Sequence, residues 1–170
     1  MDNVNVHIEK LQTLNDPELK VLSPMVEEAF ALTMEACPDE AKGLELPKGE
    51  DLAKGFERGM DIWKIFCDGK PAGGAIVSVK DENTAFLELL FIGGRVEGKG
   101  IGVRAWYEME KAYPGVRAWE TVTPCFQKRN IHFYVNKCGF HIVAYHSKWN
   151  PIMENGKPSD DEMFAFRKEV

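Results

Sequence analysis

Gly98, Gly100 and Gly102 occupy every second position between an apolar run that ends at Ile92 and a stretch from Ile101 to Tyr113 that is apolar at helical spacing. A turn of this composition lets the backbone approach a ligand closely. The unpaired N–H groups and dipole of a helix that starts there favour an anion such as a phosphate. Lys99, Arg95 and Arg104 add a local basic cluster, and the plain alternative is a flexible turn. Glu88 is the one charge in Phe86-Leu87-Glu88-Leu89-Leu90. Burying a carboxylate in such a run is costly unless it is paired or neutralised. Glu88 is therefore either a general base for an ammonium proton, directly or through a water, or an edge residue paired with a cation. Glu120, towards the end of the next strand, is the second candidate base. Asn130, Tyr134 and Lys137 fall at i, i+4 and i+7 on one helix face, beside a core-facing stripe of Ile131, Val135 and Cys138. Cys125 and Cys138 have no histidine placed to activate them and read as small buried hydrophobes. The tryptophans read as core, with Trp149, in a late acidic loop, alternatively lining a pocket.

The elements that must position these groups follow from periodicity. Val4, Val6 and Ile8 alternate with polar residues as a half-buried strand. Asp16-Pro17 starts a helix whose stripe runs Leu19, Leu22, Met25, Val26, Ala29, Phe30 and Thr33, with Pro24 a point of restart or kink. A loop from Cys37 to Pro47 leads to a short helix stopped at Gly59. Ile62 to Cys67 and Gly73 to Val79 flank Asp68-Gly69, a strong hairpin signal. The run from Ala85 to Ile92 completes an antiparallel meander. After the helix ended by Pro114-Gly115, Val116 to Val122 is a strand reached by a helical crossover and so parallel to its predecessor. Thr123-Pro124 ends it, and Gln127 to Cys138 is a helix stopped by Gly139. Phe140 to Lys148 is strand-like, Asn150 to Asp161 a polar loop, and Met163 to Arg167 a last short strand. The order β-α-α-β-β-β-α-β-α-β-β predicts an α/β (α+β) fold: a mixed, mostly antiparallel sheet with helices on both faces.

The chain has 170 residues, 44% of them hydrophobic, and a formal net charge of −6. These values predict one globular domain spanning residues 1–170 and argue against disorder and general nucleic-acid binding. An acidic chain is compatible with a cationic small-molecule partner, although most acidic proteins are simply soluble. The four cysteines form no C-x-x-C pair, the histidines lack metal spacing, and no apolar run is long enough to span a membrane. A cytoplasmic protein with free thiols, no metal and no membrane partner is expected.

The element order, together with Glu97-Gly-Lys-Gly-Ile-Gly102 and Asn130-Ile-His-Phe-Tyr-Val-Asn-Lys-Cys-Gly-Phe140, resembles the GNAT superfamily of acetyl-CoA-dependent N-acetyltransferases. Gly100 and Gly102 match the two glycines of the family pattern Q/R-x-x-G-x-G/A. Glu97 departs from it, standing where the family has Gln or Arg and placing a carboxylate beside a pyrophosphate. The resemblance runs from about Val4 to Phe166. It implies that N–H groups of the segment Glu97, Gly98, Lys99, Gly100, Ile101, Gly102 and Val103 hold the pyrophosphate of coenzyme A. It also implies that the strand through Leu90, Phe91 and Ile92 splays from its neighbour, so that main-chain groups at Leu90 and Ile92 bond the pantetheine arm and the acetyl carbonyl. An N–H aimed at the developing oxyanion would stabilise it.

On the same resemblance, Asn130 bonds the cofactor's arm or braces the helix start, and Lys137 lies along the cofactor. Tyr134 returns a proton to the departing thiolate. A phenol and a thiol have intrinsic pKa values of the same order, roughly 10 and 8.5, whereas a carboxylic acid would not stay protonated at neutral pH. The implied reaction is direct attack of a primary amine of a small molecule or peptide on acetyl-CoA in a ternary complex, with Glu88 as base. The acceptor is set by loops, here Cys37 to Leu52 and Trp149 to Asp161, whose acids suit a cationic amine. A homodimer is expected only from the prevalence of symmetric dimers. Two rivals stand beside this reading. One is a non-catalytic acyl-CoA-binding or regulatory module. The other is an NAD-binding oxidoreductase, because Gly100 to Ala105 fits G-x-G-x-x-A and Glu120 lies where an acid would meet the ribose.

Overall fold

Strand and helix periodicities resolve into nine strands and four helices among the described residues of a computed structural model, which are 3–94, 96 and 98–170, the side chain of Thr33 excepted. In order these are β1 (Val6–Lys10), α1 (Leu19–Ala36), α2 (Glu50–Glu57), β2 (Asp61–Cys67), β3 (Lys70–Val79), β4 (Thr84–Ile92) and α3 (Ile101–Ala112). Then follow β5 (Ala118–Pro124), α4 (Lys128–His132), a π-helical turn (Phe133–Lys137), β6 (His141–His146), β7 (Met153–Glu154), β8 (Lys157–Pro158) and β9 (Met163–Glu169). Seven strands form one sheet in the order β1-β2-β3-β4-β5-β9-β6. All its pairings are antiparallel except β4 with β5. That arrangement is the expected mixed sheet, and it excludes the doubly wound parallel sheet that an NAD-binding reading requires.

Helices cover both faces. On one side Leu22 and Val26 of α1 and Leu52 of α2 pack on Ile62, Ile76, Leu89 and Phe91. On the other, Trp106 and Met109 of α3, Tyr134 of the π-helical turn and Cys138 just after it pack on Ala75, Val77, Ala85 and Leu87. β4 serves both cores because it carries a bulge. Val77 pairs with Leu87 and Ile76 with Leu89, which leaves Glu88 as the extra residue. The bulge shifts the alternation by one, so Leu87 faces α3 and Leu89 faces α1.

Three expectations are corrected. Asn150 to Asp161 is not simply a loop: β7 and β8 pair across Asn155-Gly156, both at positive φ (51° and 76°), as a two-residue hairpin turn requires. The helix from Gln127 to Cys138 is a short α4 followed by the π-helical turn, in which the Cys138 N–H donates to the Phe133 carbonyl at 3.0 Å. β5 runs on through Thr123 and Pro124 to pair with Met163. The Cys125 N–H donates towards β9, to the Glu162 carbonyl. By alternation the nitrogen of Pro124 faces the opposite edge, where no neighbouring strand asks for a donor. α1 passes through Pro24 without a break, and the Ser23 hydroxyl donates to the Leu19 carbonyl (2.8 Å) in the turn that proline perturbs.

The entry of α1 is fixed to the sheet by Lys64 of β2. Its ammonium is buried, 2.8 Å from Asp16, 3.5 Å from Glu9 and 3.7 Å from Glu18. Asp16 also accepts from the Glu18 N–H at 2.9 Å, capping the turn that leads into α1. Burial alone would lower the Lys64 pKa, but Asp16 and, at longer range, Glu18 and Glu9 outweigh it and raise it. The Lys64 contact and the Glu18 N–H hold the Asp16 carboxyl below its ordinary 3.8. Stability from Asp16 is thus present above pH 3.8 and lost as the pH falls through its lower folded value. Lys64→Met should cost about 3 kcal/mol at pH 7, because it leaves partly buried carboxylates without their cation. In urea titrations that difference should shrink as the pH falls below 3.8 and the carboxylates are neutralised. A loss that does not shrink would contradict the assignment.

Candidate active site

The site begins where β4 and β5 part. Only Thr84, Ala85 and Phe86 of β4 pair with β5, opposite Ala118, Trp119 and Glu120. Beyond them the Thr121 hydroxyl donates to the Leu87 carbonyl at 2.8 Å, so a side chain takes over where the ladder stops. β3 continues along the other edge of β4 as far as Ile92, and the Gly93 N–H donates to the Ala72 carbonyl on that side (2.8 Å). Backbone N–H groups alternate along a strand, so those of Leu90 and Ile92 point to the open edge. Glycines let β3 lie this close, because a Cβ on Gly73 would meet the Phe91 carbonyl oxygen at 2.1 Å.

A cleft of about 830 Å³ follows the open edge to the start of α3. Leu90, Phe91 and Ile92 line it, with Gly98, Gly100, Ile101, Gly102 and Val103 at the helix end. Gly100 precedes α3 in the left-handed conformation (φ 72°), which turns the chain into the helix without a side chain above the first turn. The Arg104 N–H is bonded to the Gly100 carbonyl, which leaves the N–H groups of Ile101, Gly102 and Val103 without helical partners. Gly102 lies against the Phe133 ring, 3.3 Å from where its Cβ would stand, so α3 and the π-helical turn share the cleft wall. Volume, apolar walls and the first N–H groups of a helix, which have no helical partners, fit a long phosphorylated ligand.

A second cleft, of about 520 Å³, opens beside it. Residues 44–48, Glu50, Asp51, Glu154, Asn155 and Asp161 line it, so both loops expected to shape an acceptor site contribute. Phe30, Leu90, Gln127, Asn130 and Tyr134 line both clefts and mark their junction.

Glu88 lines the second cleft, but it is not the buried carboxylate expected from its apolar neighbours. As the bulged residue it is exposed, and the Ser78 hydroxyl donates to it at 2.7 Å. Glu120 is not brought to either cleft: it lies 3.3 Å from Lys80 and 3.9 Å from Arg167. Arg104 donates to the Val4 carbonyl, and Lys99 is exposed and lines neither cleft, so neither of these two cations of the expected cluster is placed in the cleft. Arg95 and Glu97 lie outside the described residues.

Tyr134 is buried, 8% exposed, with the rings of Phe133, Phe140 and Phe166 within 5.5 Å of its own. Burial raises its pKa well above the ordinary 10, the nearby Cys138 adds to this, and the Thr121 hydroxyl opposes it slightly. Asn130 lines the junction and donates to Thr123 (3.3 Å) and to Gln127 (2.5 Å), which joins β5 to α4. Lys137 reaches the larger cleft from the exposed side of the π-helical turn. Burial pushes the Cys138 thiol up to about 12, and burial together with Glu162 raises Cys125, so neither is an activated nucleophile. Trp149 is 84% exposed, beneath the Lys148 ammonium, and lines neither cleft. Sequence reasoning missed Thr121, Gln127 and Phe133. For Thr121 and Phe133 the available signal was position alone, one residue after Glu120 and one before Tyr134.

Residues 26–140 match the model of the Acetyltransferase (GNAT) family. The chain is 37% identical over 169 residues to the uncharacterized protein YrkN of Bacillus subtilis (strain 168), covering 93% of this chain and 91% of that protein. Its fold is similar to that of the ribosomal-protein-S18-alanine N-acetyltransferase from Escherichia coli, with a TM-score of 0.71 at 14% identity over 98% of this chain and 94% of that one. It is also similar to PaiA N-acetyltransferase from Thermoplasma acidophilum in complex with coenzyme A, with a TM-score of 0.68 at 18% identity over 98% and 99%. A GNAT family acetyltransferase from Elizabethkingia anophelis with acetyl-CoA bound gives 0.64 at 16% identity over the whole of both chains. These identities show a shared fold, while the family model and the YrkN relative show descent: the chain belongs to the GNAT acetyltransferase family.

Proposed function

We propose that this chain is an N-acetyltransferase that moves the acetyl group of acetyl-CoA to a primary amine in a ternary complex. One observation carries the reading: the open edge of β4 runs from a helix N-terminus in one cleft to Tyr134 and Leu90 at the mouth of a second. Acetyl-CoA supplies the activated thioester. The N–H groups of Ile101, Gly102 and Val103 hold its pyrophosphate, and those of Leu90 and Ile92 bond the pantetheine arm and the thioester carbonyl. An N–H at that carbonyl stabilises the negative charge that develops on its oxygen. The fold shared with solved structures that hold acetyl-CoA or coenzyme A supports this reading.

The acceptor enters through the smaller cleft, where Glu88 takes the ammonium proton, directly or through a water that it orients. The nitrogen forms its bond to the acetyl carbon, and the carbon–sulfur bond breaks. Tyr134 donates its phenolic hydrogen to the departing sulfur. Its raised pKa keeps it protonated wherever the thiol titrates, so it works as a hydrogen-bond donor that gives up its proton only as one arrives from the amine. The products are an amide, the free thiol and the proton first removed by Glu88.

Tyr134→Phe should lower kcat at least about tenfold, which corresponds to about 1.4 kcal/mol in the barrier, with little change in acetyl-CoA affinity. Stopped-flow turnover and calorimetric titration of that variant check it, and wild-type turnover would remove Tyr134 from the reaction. Glu88→Gln should move the rising limb of the pH–rate profile to higher pH. An unchanged profile at full rate would exclude Glu88 as the base. Coenzyme A binding without acetyl transfer to any amine would mark a non-catalytic acyl-CoA-binding module.

A further inference from the structure

The acceptor cleft has a charge pattern that its catalytic groups do not use. At one end of its chemistry stands Glu88, beside the junction with the cofactor cleft. On the exposed rim, Glu45 comes from the loop between α1 and α2 and Glu154 from β7, and Asp161 lies in the chain that leads into β9. Among the described residues no lysine or arginine lies within ion-pair distance of these three. The two lysines that line the cleft do not cancel this charge. Lys54 is held by Glu50 at 2.8 Å, and Lys48 and Lys54 are outnumbered in the lining by the carboxylates of Glu45, Glu50, Asp51, Glu88, Glu154 and Asp161. The walls between are apolar, with Phe30, Leu46, Val122 and Met163 among them. At the junction of the two clefts Gln127 is 9% exposed and accepts from Asn130, so a buried polar pair lies where the clefts meet.

We propose that this cleft selects an alkyl diamine or polyamine, with the reacting nitrogen at Glu88 and Tyr134 and a second ammonium group held at the rim by Glu45 and Glu154. The inference rests on the acetyl-transfer reading of the same site. A methylene chain fits apolar walls between two anionic ends, whereas a simple alkylamine leaves the rim carboxylates unused and an acidic acceptor is repelled by them. The chemistry is that of the proposed reaction: one nitrogen loses a proton and gains the acetyl group, and the second stays protonated throughout. Because the rim is exposed, its attraction is screened by salt, and selectivity must fall as ionic strength rises.

The test compares kcat/KM for 1,4-diaminobutane and n-butylamine, measured by release of the coenzyme A thiol at low and at high salt. The diamine should be preferred about tenfold at low salt, an energy difference of about 1.4 kcal/mol, and less so at high salt. In Glu45→Gln/Glu154→Gln the ratio of the two values should fall towards one. A lost fold would lower both values and leave their ratio unchanged. Equal use of the two amines by the native protein, or a ratio untouched by a double substitution that keeps the native value for n-butylamine, overturns the inference and leaves the acetyl-transfer reading standing. Thiol release with neither amine nor any other overturns both.

Discussion

Every backbone N–H and C=O group removed from a sheet must find another partner. The parallel ladder between β4 and β5 stops after three residue pairs, so the outer edge of β4 from Leu87 onwards has no neighbouring strand. The structure meets this cost locally and in part. Thr121 supplies one hydroxyl to the Leu87 carbonyl, and Pro124 has no N–H to leave unpaired on the parting strand. The groups at Leu90 and Ile92 remain available to a ligand that lies along the edge. The opening is held from both sides, by the β3 ladder on one edge of β4 and by β9 on the far edge of β5. A strand gap between two well-paired ladders is rigid, and rigidity is what a site needs if its donors are to be aimed before the reaction begins.

The bulge at Glu88 links this opening to the acceptor. Without the extra residue, Leu87 and Leu89 would share a face and one of the two cores would lose its contribution from β4. With it, both cores are filled, and the residue left over is a carboxylate turned into the smaller cleft. The same economy holds at Tyr134. The π-helical turn widens the helix where Phe133 must fit against Gly102, and it sets the phenol between the clefts with its ring buried among aromatic neighbours. Charge is divided along the site. Free helix N–H groups favour anions in the larger cleft, and unpaired carboxylates favour cations in the smaller one.

Much of this was legible in the sequence, for physical reasons. The order of elements up to β5, the Asp68-Gly69 hairpin and the glycine turn into α3 all rest on local signals that tertiary context did not override. Glu88 was found because it is the one charge in an apolar run, and Tyr134 because it shares a helix face with Asn130 and Lys137 in a segment that carries the family resemblance. The environment of Glu88 was misread, because a bulge depends on the register of two strands and leaves no mark on one of them. Glu120 looked equivalent to Glu88 until pairing placed it beside Lys80 and Arg167. The insertion of β9 between β5 and β6 is a long-range choice that alternation does not encode. The β7–β8 hairpin was legible, since Asn155-Gly156 is itself a strong turn signal, and the acidic composition around it drew the reading to a loop.

The central claim is that the open edge of β4 and the start of α3 form a coenzyme A site. Thermal unfolding with saturating acetyl-CoA, free coenzyme A or NAD tests it most directly. A ligand at a hundred times its dissociation constant stabilises the folded state by about 2.7 kcal/mol, which for a chain of this size raises the midpoint by several degrees. Such a rise is expected with acetyl-CoA and with coenzyme A and none with NAD. A rise with NAD alone, or no rise with either coenzyme A form, would contradict it.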